Sequence, residues 1–350
     1  MDCDRYIEVI IPVYNCKRFL REAVQSVLDQ SYQLIEIILI DDGSTDGSTS
    51  LCEELAEIYD QVYFLHQENS GVSSARNIGI EYVLSQKSNI LSKCYIAFLD
   101  ADDIWAPDFF SPDMLELLLK NLDILGFTSA KCNCNLTMRA KEIDVKVGLF
   151  FGGEKCLKAR REHFASMLYS AKLINDYNIR FMNGLKYGED NIFRYECLYV
   201  CDKGYIEQRL LYLYRENEKS AVHNRKYGLD YYVPLLNAYL TMDSEMSCWA
   251  NETRGICSAG KGIVSFYIRE MIDEHIINFG SVKDIFEAER NFPELFNNPE
   301  LMQMLSNKRE RWKIIIANYA KGILFRVLRK IRYCSLFSWI VEKRRYPIKM

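Results

Sequence analysis

The chain has 350 residues, 49% of them apolar and 26% charged, with 17 Gly and 7 Pro. That composition excludes a disordered, collagenous or low-complexity protein, and the length suits one large core with an appended subdomain or tail. Forty-four Lys and Arg against 48 Asp and Glu leave a net charge of −4, which argues against a general nucleic-acid binder.

Residues 7–11 read as a strand, and Phe19, Leu20, Ala23, Val24, Val27 and Leu28 then recur at helical spacing. Residues 35–40 are a nearly continuous Ile and Leu run, the pattern of a strand buried in a parallel sheet. A polar turn over residues 41–48 leads to a helix carrying Leu51, Cys52, Leu55 and Ile58. Residues 62–65 predict a third strand, 73–84 a helix, and 94–99 a fourth strand that runs straight into Asp100-Ala101-Asp102-Asp103. Strand and helix alternating at this pace predict a doubly wound α/β sheet, with ligands bound beyond the carboxyl ends of its strands. From residue 110 the pattern loosens into α+β, with helices expected near 114–120 and 163–177 and a strand over 210–214. Beyond residue 225 it is mainly helical.

The loops after the strands carry the chemistry. Neither GxGxxG nor GxxxxGK[ST] follows the first strand, so a Rossmann dinucleotide site and a P-loop are both excluded. Pro12, Tyr14 and Asn15 follow it instead, and Tyr14 is placed to stack on a base or to serve as a half-buried aromatic. Asp42 ends the second strand, where it either accepts hydrogen bonds from a base or ribose or shapes the turn. Gly71 opens the helix that carries Arg76, aiming backbone N–H groups and a guanidinium at an anion. Asp100 and Asp102 put two carboxylates on one side of an extended tripeptide, a donor set for a hard divalent cation. A helix cap is the alternative.

These segments in this order, Pro-Val-Tyr-Asn, Asp-Asp-Gly-Ser-Thr-Asp, Gly-Val-Ser-Ser-Ala-Arg-Asn and Phe-Leu-Asp-Ala-Asp-Asp, resemble the nucleotide-sugar-binding half of glycosyltransferase family 2. That family is inverting and has the GT-A fold. The resemblance is specific over residues 5–110 and reaches in pieces to about residue 225. It implies a GT-A, Rossmann-like, mostly parallel sheet flanked by helices, with an α+β acceptor region and a helical C-terminal extension. Residues 1–110 would bind the nucleotide sugar, 111–225 the acceptor and base, 226–307 would form the helical extension, and 308–350 a basic tail.

By the same resemblance, Pro12, Tyr14 and Asp42 hold the uracil end of a UDP-linked donor with Arg76 close by. Asp100 contacts ribose or sugar, Ala101 lies between the two acids, and Asp102 binds Mn²⁺ or Mg²⁺ on the diphosphate. Tyr187-Gly188-Glu189-Asp190 matches the family's later acidic motif, which makes Asp190 the catalytic base and Glu189 its orienting neighbour. Read without the family, the same pair is an acidic first turn of a helix. Arg215 and Ser220 correspond to residues reaching the pyrophosphate, and His223 either completes the metal shell or is a surface histidine. Trp105 is a sugar platform or a core contact.

The expected activity is transfer of a hexosyl or N-acetylhexosaminyl group to a saccharide or lipid-linked saccharide acceptor, as in polysaccharide synthesis. A nucleotidyltransferase is the alternative, but it calls for a Gly-rich basic loop after the first strand. A catalytically silent nucleotide-sugar-binding protein is the other, and Asp100, Asp102, Asp190 and Arg215 occurring together argue against it.

Twelve Cys spread from Cys3 to Cys334 among apolar neighbours read as reduced thiols, and Cys132 with Cys134 lacks the second pair of a zinc site. The N-terminus has no signal-peptide h-region, and no run reaches the roughly 18 apolar residues of a membrane span. A cytoplasmic protein is expected. Residues 308–350 hold 13 basic residues against Glu310 and Glu342, a net +11, while the remainder carries 31 basic and 46 acidic residues. The tail reads as a basic amphipathic helix for an anionic membrane surface at the inner face of the cell membrane, with a solvated helix packed on the protein as the alternative. RNA is a weaker third partner, and no nucleic acid is expected.

Overall fold

A computed structural model of the chain describes residues 4–133, 148–151, 163–185 and 187–216, together with residues 234, 238, 241 and 242. Strands β1 (Tyr6–Val13), β2 (Ile35–Asp42), β3 (Val62–Gln67) and β4 (Cys94–Phe98) alternate with helices α1 (Lys17–Leu28), α2 (Ser48–Ile58) and α3 (Val72–Gln86). All four strands are parallel, in the order β3-β2-β1-β4. A strand covered on both faces needs apolar residues at consecutive positions. Val9, Ile10 and Ile11 of β1 and Ile37, Ile38, Leu39 and Ile40 of β2 meet that need, each sealed from solvent.

The chain moves outward from β1 through β2 to β3, then returns to lay β4 on the other flank of β1. Such a reversal opens a crevice at the carboxyl ends of the two central strands. α3 approaches β1 so closely that a Cβ on Gly79 would stand 2.6 Å from Ile10 Cγ2, so glycine is required there. Arg76 lies three residues earlier on the same helical face and is thereby carried into the crevice.

The second half comprises β5 (Ile104–Trp105), α4 (Pro112–Leu118), β6 (Ile124–Cys132), β7 (Gly148–Phe151), β8 (Met167–Ser170), α5 (Ala171–Asp176), α6 (Glu189–Val200) and β9 (Lys203–Arg215). The sheet continues from β4 through β8, β6 and β9 to β5, and β7 pairs with β9. β8 runs antiparallel to both β4 and β6, whereas β6 and β9 are parallel. The parallel first half thus passes into a mixed sheet, the curled α/β architecture expected of GT-A.

Three features differ from the sequence expectations. Residues 163–177 do not form one helix: Phe164 to Tyr169 are all buried, forming the approach to β8 and the strand itself, before the short α5 begins. A continuous apolar run does not distinguish a buried strand from a helix by periodicity. β6, which the sequence reading leaves unmarked, spans nine residues beside β9, and β9 is far longer than residues 210–214. Trp105 is no sugar platform, being 2% exposed and stacked on Phe109 at 4.2 Å between ring centroids.

Cys16, Cys52, Cys94, Cys132, Cys197 and Cys201 are not in disulfides. Among the described residues no helix is long and apolar enough to cross a membrane. Residues 234, 238, 241 and 242 are helical, and the rest of the expected extension and the basic tail lie outside the described residues.

Candidate active site

The loops after β1, β2 and β3 lock onto one another. Asn15, at φ 51, receives the Thr45 N–H on its Oδ1 at 2.8 Å and donates its own backbone N–H to Ser44 Oγ at 2.9 Å. Its side chain therefore braces the β2–α2 turn. Asp41 is fully buried and accepts from Ser44 N, Thr49 Oγ1 and His66 Nδ1. Burial pushes its carboxyl up, but these hydrogen bonds outweigh it and hold the group below its ordinary value.

Asp42 faces the loop after β3. Its Oδ1 accepts Gln67 Nε2 at 2.5 Å and the Ser70 N–H at 2.7 Å, and its Oδ2 accepts the Gly71 N–H at 3.0 Å. A carboxylate offers about four lone-pair sites, so one stays open on Oδ2. Gly71 caps α3 at φ 91 with empty space where a side chain would project, so a ligand can approach the backbone closely there. Its N–H is already spent on Asp42, however, so the anion cradle expected at this helix start is partly occupied from within. Tyr14 is half exposed beside this loop end, and Pro12 is partly buried at the end of β1.

The acids after β4 divide into two kinds. Asp103 is 1% exposed, accepts the Tyr212 hydroxyl at 2.6 Å and the Arg215 N–H at 2.7 Å, and so anchors the loop to the end of β9. Burial first, then the charges of Asp100 and Asp102, push its carboxyl well above the usual range. Asp100 and Asp102 are only partly buried, while Ala101 between them is buried and presents its backbone.

Arg76 ties this loop to the second half of the domain. It is 3% exposed, with Nη2 donating to Asp100 Oδ1 at 2.9 Å and Nη1 to Glu189 Oε1 at 3.0 Å. Its Cζ lies 4.5 Å from the Phe164 ring centroid and 5.1 Å from that of Phe181. The sequence reading puts Arg76 near the base, whereas its guanidinium is committed to these two carboxylates. Glu189 and Asp190 form the first turn of α6 behind the left-handed Gly188. Burial raises the Glu189 carboxyl, Arg76 opposes that, and Asp190 adds to it.

Asp100 and Asp102 fit a divalent cation as paired oxygen donors at a strand end. Their negative fields, after burial the main charges acting there, help push the nearby Cys16 thiol up to about 12. Among the described residues no group of three or more His, Cys, Asp and Glu side chains is placed to hold a metal. A cation here would draw the rest of its shell from phosphate oxygens and water, as Mg²⁺ commonly does. Arg215 is 2% exposed, donates from Nη2 to Glu22 Oε2 at 2.7 Å, and lies 4.6 Å from the Phe19 ring centroid. Ser220 and His223 lie outside the described residues.

Two site residues were not singled out in the sequence, His163 and Phe164, which reach the Arg76 centre from the segment leading into β8. Their only sequence signal is a histidine and an aromatic opening an apolar run.

Residues 8–176 match the family model described as Glycosyl transferase family 2. Over those residues the chain is similar to glycosyl transferase family 2. Glycosyltransferase GlyA of Streptococcus pneumoniae serotype 4 is 38% identical over 119 residues, 34% of this chain and 15% of that protein. The uncharacterized glycosyltransferase YibD of Escherichia coli K12 is 32% identical over 232 residues, 62% of this chain and 63% of that one. The chain thus spans 15% and 63% of the length of these two relatives in the regions they share. Among solved structures, S. aureus TarS 1-349 in complex with UDP-GlcNAc superposes with a TM-score of 0.67 at 16% identity, covering 90% of this chain and 89% of that one. That likeness establishes the fold, a GT-A-like α/β arrangement.

Proposed function

We propose that the chain is a metal-dependent inverting glycosyltransferase, moving a sugar from a UDP-linked donor to a hydroxyl of a saccharide or lipid-linked saccharide acceptor in cell-surface polysaccharide synthesis. One observation carries the reading: through Arg76, Asp100 of the donor loop and Glu189 of the later acidic motif share one cation, so Asp190 begins its helix beside the donor acids. The likeness to family 2 and the UDP-GlcNAc bound by TarS in a similar fold support the choice of donor.

In this scheme Tyr14 and Pro12 flank the base, and the open lone pair of Asp42 accepts its N–H. Asp102 and Asp100 would hold Mn²⁺ or Mg²⁺, with His223 as a further ligand; the bound cation supplies positive charge against the departing diphosphate. Asp190 takes the proton of the acceptor hydroxyl as that oxygen bonds to the anomeric carbon. The bond from that carbon to the diphosphate oxygen breaks on the opposite face, inverting the configuration. Glu189, gripped by Arg76, fixes the turn that carries the base. Arg215 and Ser220 face the pyrophosphate, and the tail over residues 308–350 seats the enzyme on an anionic membrane at the cytoplasmic face.

The test is Asp190→Asn. Transfer is expected to fall on the order of 10²–10⁴-fold, with UDP binding nearly unchanged. Full transfer by that variant would refute the assignment of the base.

A further inference from the structure

His163 stands within the field of the charged constellation, with no hydrogen bond or ion pair to Arg76, Asp100, Asp190 or Arg194. It stands just before β8, its ring centroid 5.1 Å from Phe164, 5.7 Å from Tyr212 and 5.9 Å from Tyr214. Phe164 in turn lies under the Arg76 guanidinium, and Tyr212 holds Asp103. The charged groups that act on the imidazole come from every side of the site: Asp100 after β4, Asp190 and Arg194 of α6, and Arg76 of α3.

Buried polar atoms in folded proteins are almost always paired, and an unpaired one calls for an explanation. His163 Nδ1 is buried with no hydrogen-bond partner among the described residues, while the residue as a whole is partly exposed. Burial is the main cause that holds its proton affinity below the ordinary histidine value, with Arg76 and Arg194 adding to it and Asp100 and Asp190 opposing it. The ring is therefore neutral near pH 7. A neutral imidazole carries one proton. With Nδ1 buried and unpaired, that proton belongs on Nε2, where a ligand can accept it.

What lies between an acid that contacts the donor and a base beside the anomeric carbon is the transferring sugar. We propose that His163 is a sugar-contacting residue whose Nε2–H donates a hydrogen bond to a hydroxyl of the transferring pyranose, with the neighbouring aromatic rings as its apolar support. The inference rests on the nucleotide-sugar reading above and deepens it, since nothing in the donor's nucleotide part touches this residue in the scheme.

The test compares UDP with UDP-N-acetylglucosamine and UDP-glucose by calorimetry on the full chain with Mn²⁺, for the wild type, His163→Leu and His163→Gln. A glutamine amide reaches about as far as Nε2 and keeps a donor there. The expected result is a Kd for UDP unchanged in all three proteins, and a Kd for a nucleotide sugar raised about five- to tenfold in His163→Leu and restored in His163→Gln. Equal nucleotide-sugar binding by wild type and His163→Leu overturns the contact. So does a parallel loss of UDP and nucleotide-sugar binding in both variants, which marks a packing role. Failure of the wild type to bind UDP or either sugar donor is a separate result, and it overturns the nucleotide-sugar reading together with this contact.

Discussion

The Arg76 guanidinium and the Glu189 carboxylate are 113 residues apart in the chain and 3.0 Å apart in the fold. The same guanidinium holds Asp100 at 2.9 Å, so one buried cation serves two carboxylates from opposite halves of the domain. Removing one partner of a buried ion pair leaves uncompensated charge in a poorly solvated place. Arg76→Met is therefore expected to destabilise the protein by about 3–5 kcal/mol, measured from the urea midpoint, and to abolish donor hydrolysis. Arg76→Lys keeps the charge but not the planar fork that spans two acids, and should recover only part of either loss. A urea midpoint like that of the wild type in Arg76→Met would contradict the bridge.

Asp102 and Asp100 are the paired carboxylates proposed for the cation, and Asp100 also accepts from Arg76 at 2.9 Å. In a thermal-shift titration, UDP with Mn²⁺ should stabilise the wild type more than UDP alone, and Asp102→Ala should lose that manganese increment. At a free ligand concentration 100 times Kd the stabilisation amounts to about 2.7 kcal/mol, well within reach of the measurement. A manganese increment of equal size in Asp102→Ala would remove Asp102 from the metal site.

The parallel first half was legible in the sequence because its signals are local. Ile and Leu runs mark strands buried on both faces, and the polar loops that follow them are continuous stretches of sequence. Even there, residue type did not disclose the partner. Asn15, Asp41 and Gly71 look like ligand contacts in a string of letters, yet much of their hydrogen-bonding capacity holds the three loops together. Three acids within four residues, Asp100, Asp102 and Asp103, look alike until β9 arrives over 100 residues later and takes Asp103 as its anchor. The second half was harder to read because its strands pair out of chain order and its β8 is an apolar run without periodicity. His163 and Phe164 join the site through that strand, which no spacing rule connects to Arg76.

A second ionic cluster lies away from the crevice, on the first strands. Glu8 of β1 sits opposite Glu36 of β2, and Lys87 Nζ reaches both, at 3.2 and 2.9 Å. Glu8 is 1% exposed; burial, then Glu36, push its carboxyl up to about 7 against the pull of Lys87. The folded chain thus keeps this proton to a higher pH than the unfolded chain, where a glutamate titrates near 4.5. Stability is greatest below the unfolded value and falls as the pH rises towards the folded one, by at most about 3 kcal/mol. Glu8→Gln should flatten that part of the profile, read from urea unfolding at pH 5 and pH 7.5. Equal slopes in the two proteins would show that Glu8 titrates normally.

The close seat of α3 on β1 offers a test of how the site is positioned. A Cβ on Gly79 would meet Ile10 Cγ2 at 2.6 Å and Cγ1 and Cδ1 at 3.1 Å, all three belonging to one buried side chain in a packed sheet. Gly79→Ala improves helix propensity, but the gain of roughly 1 kcal/mol is opposed by overpacking that typically costs about 1–3 kcal/mol. The variant should be less stable. Because Arg76 is on the same face of α3, moving the helix outward should also lengthen the Asp100 and Glu189 contacts and lower activity more than stability alone explains. Ile10→Ala removes all three clashing atoms, so the double variant Gly79→Ala/Ile10→Ala should be more stable than the two single losses predict when added. Strict additivity would mean that Gly79 and Ile10 do not set the height of α3 above the sheet.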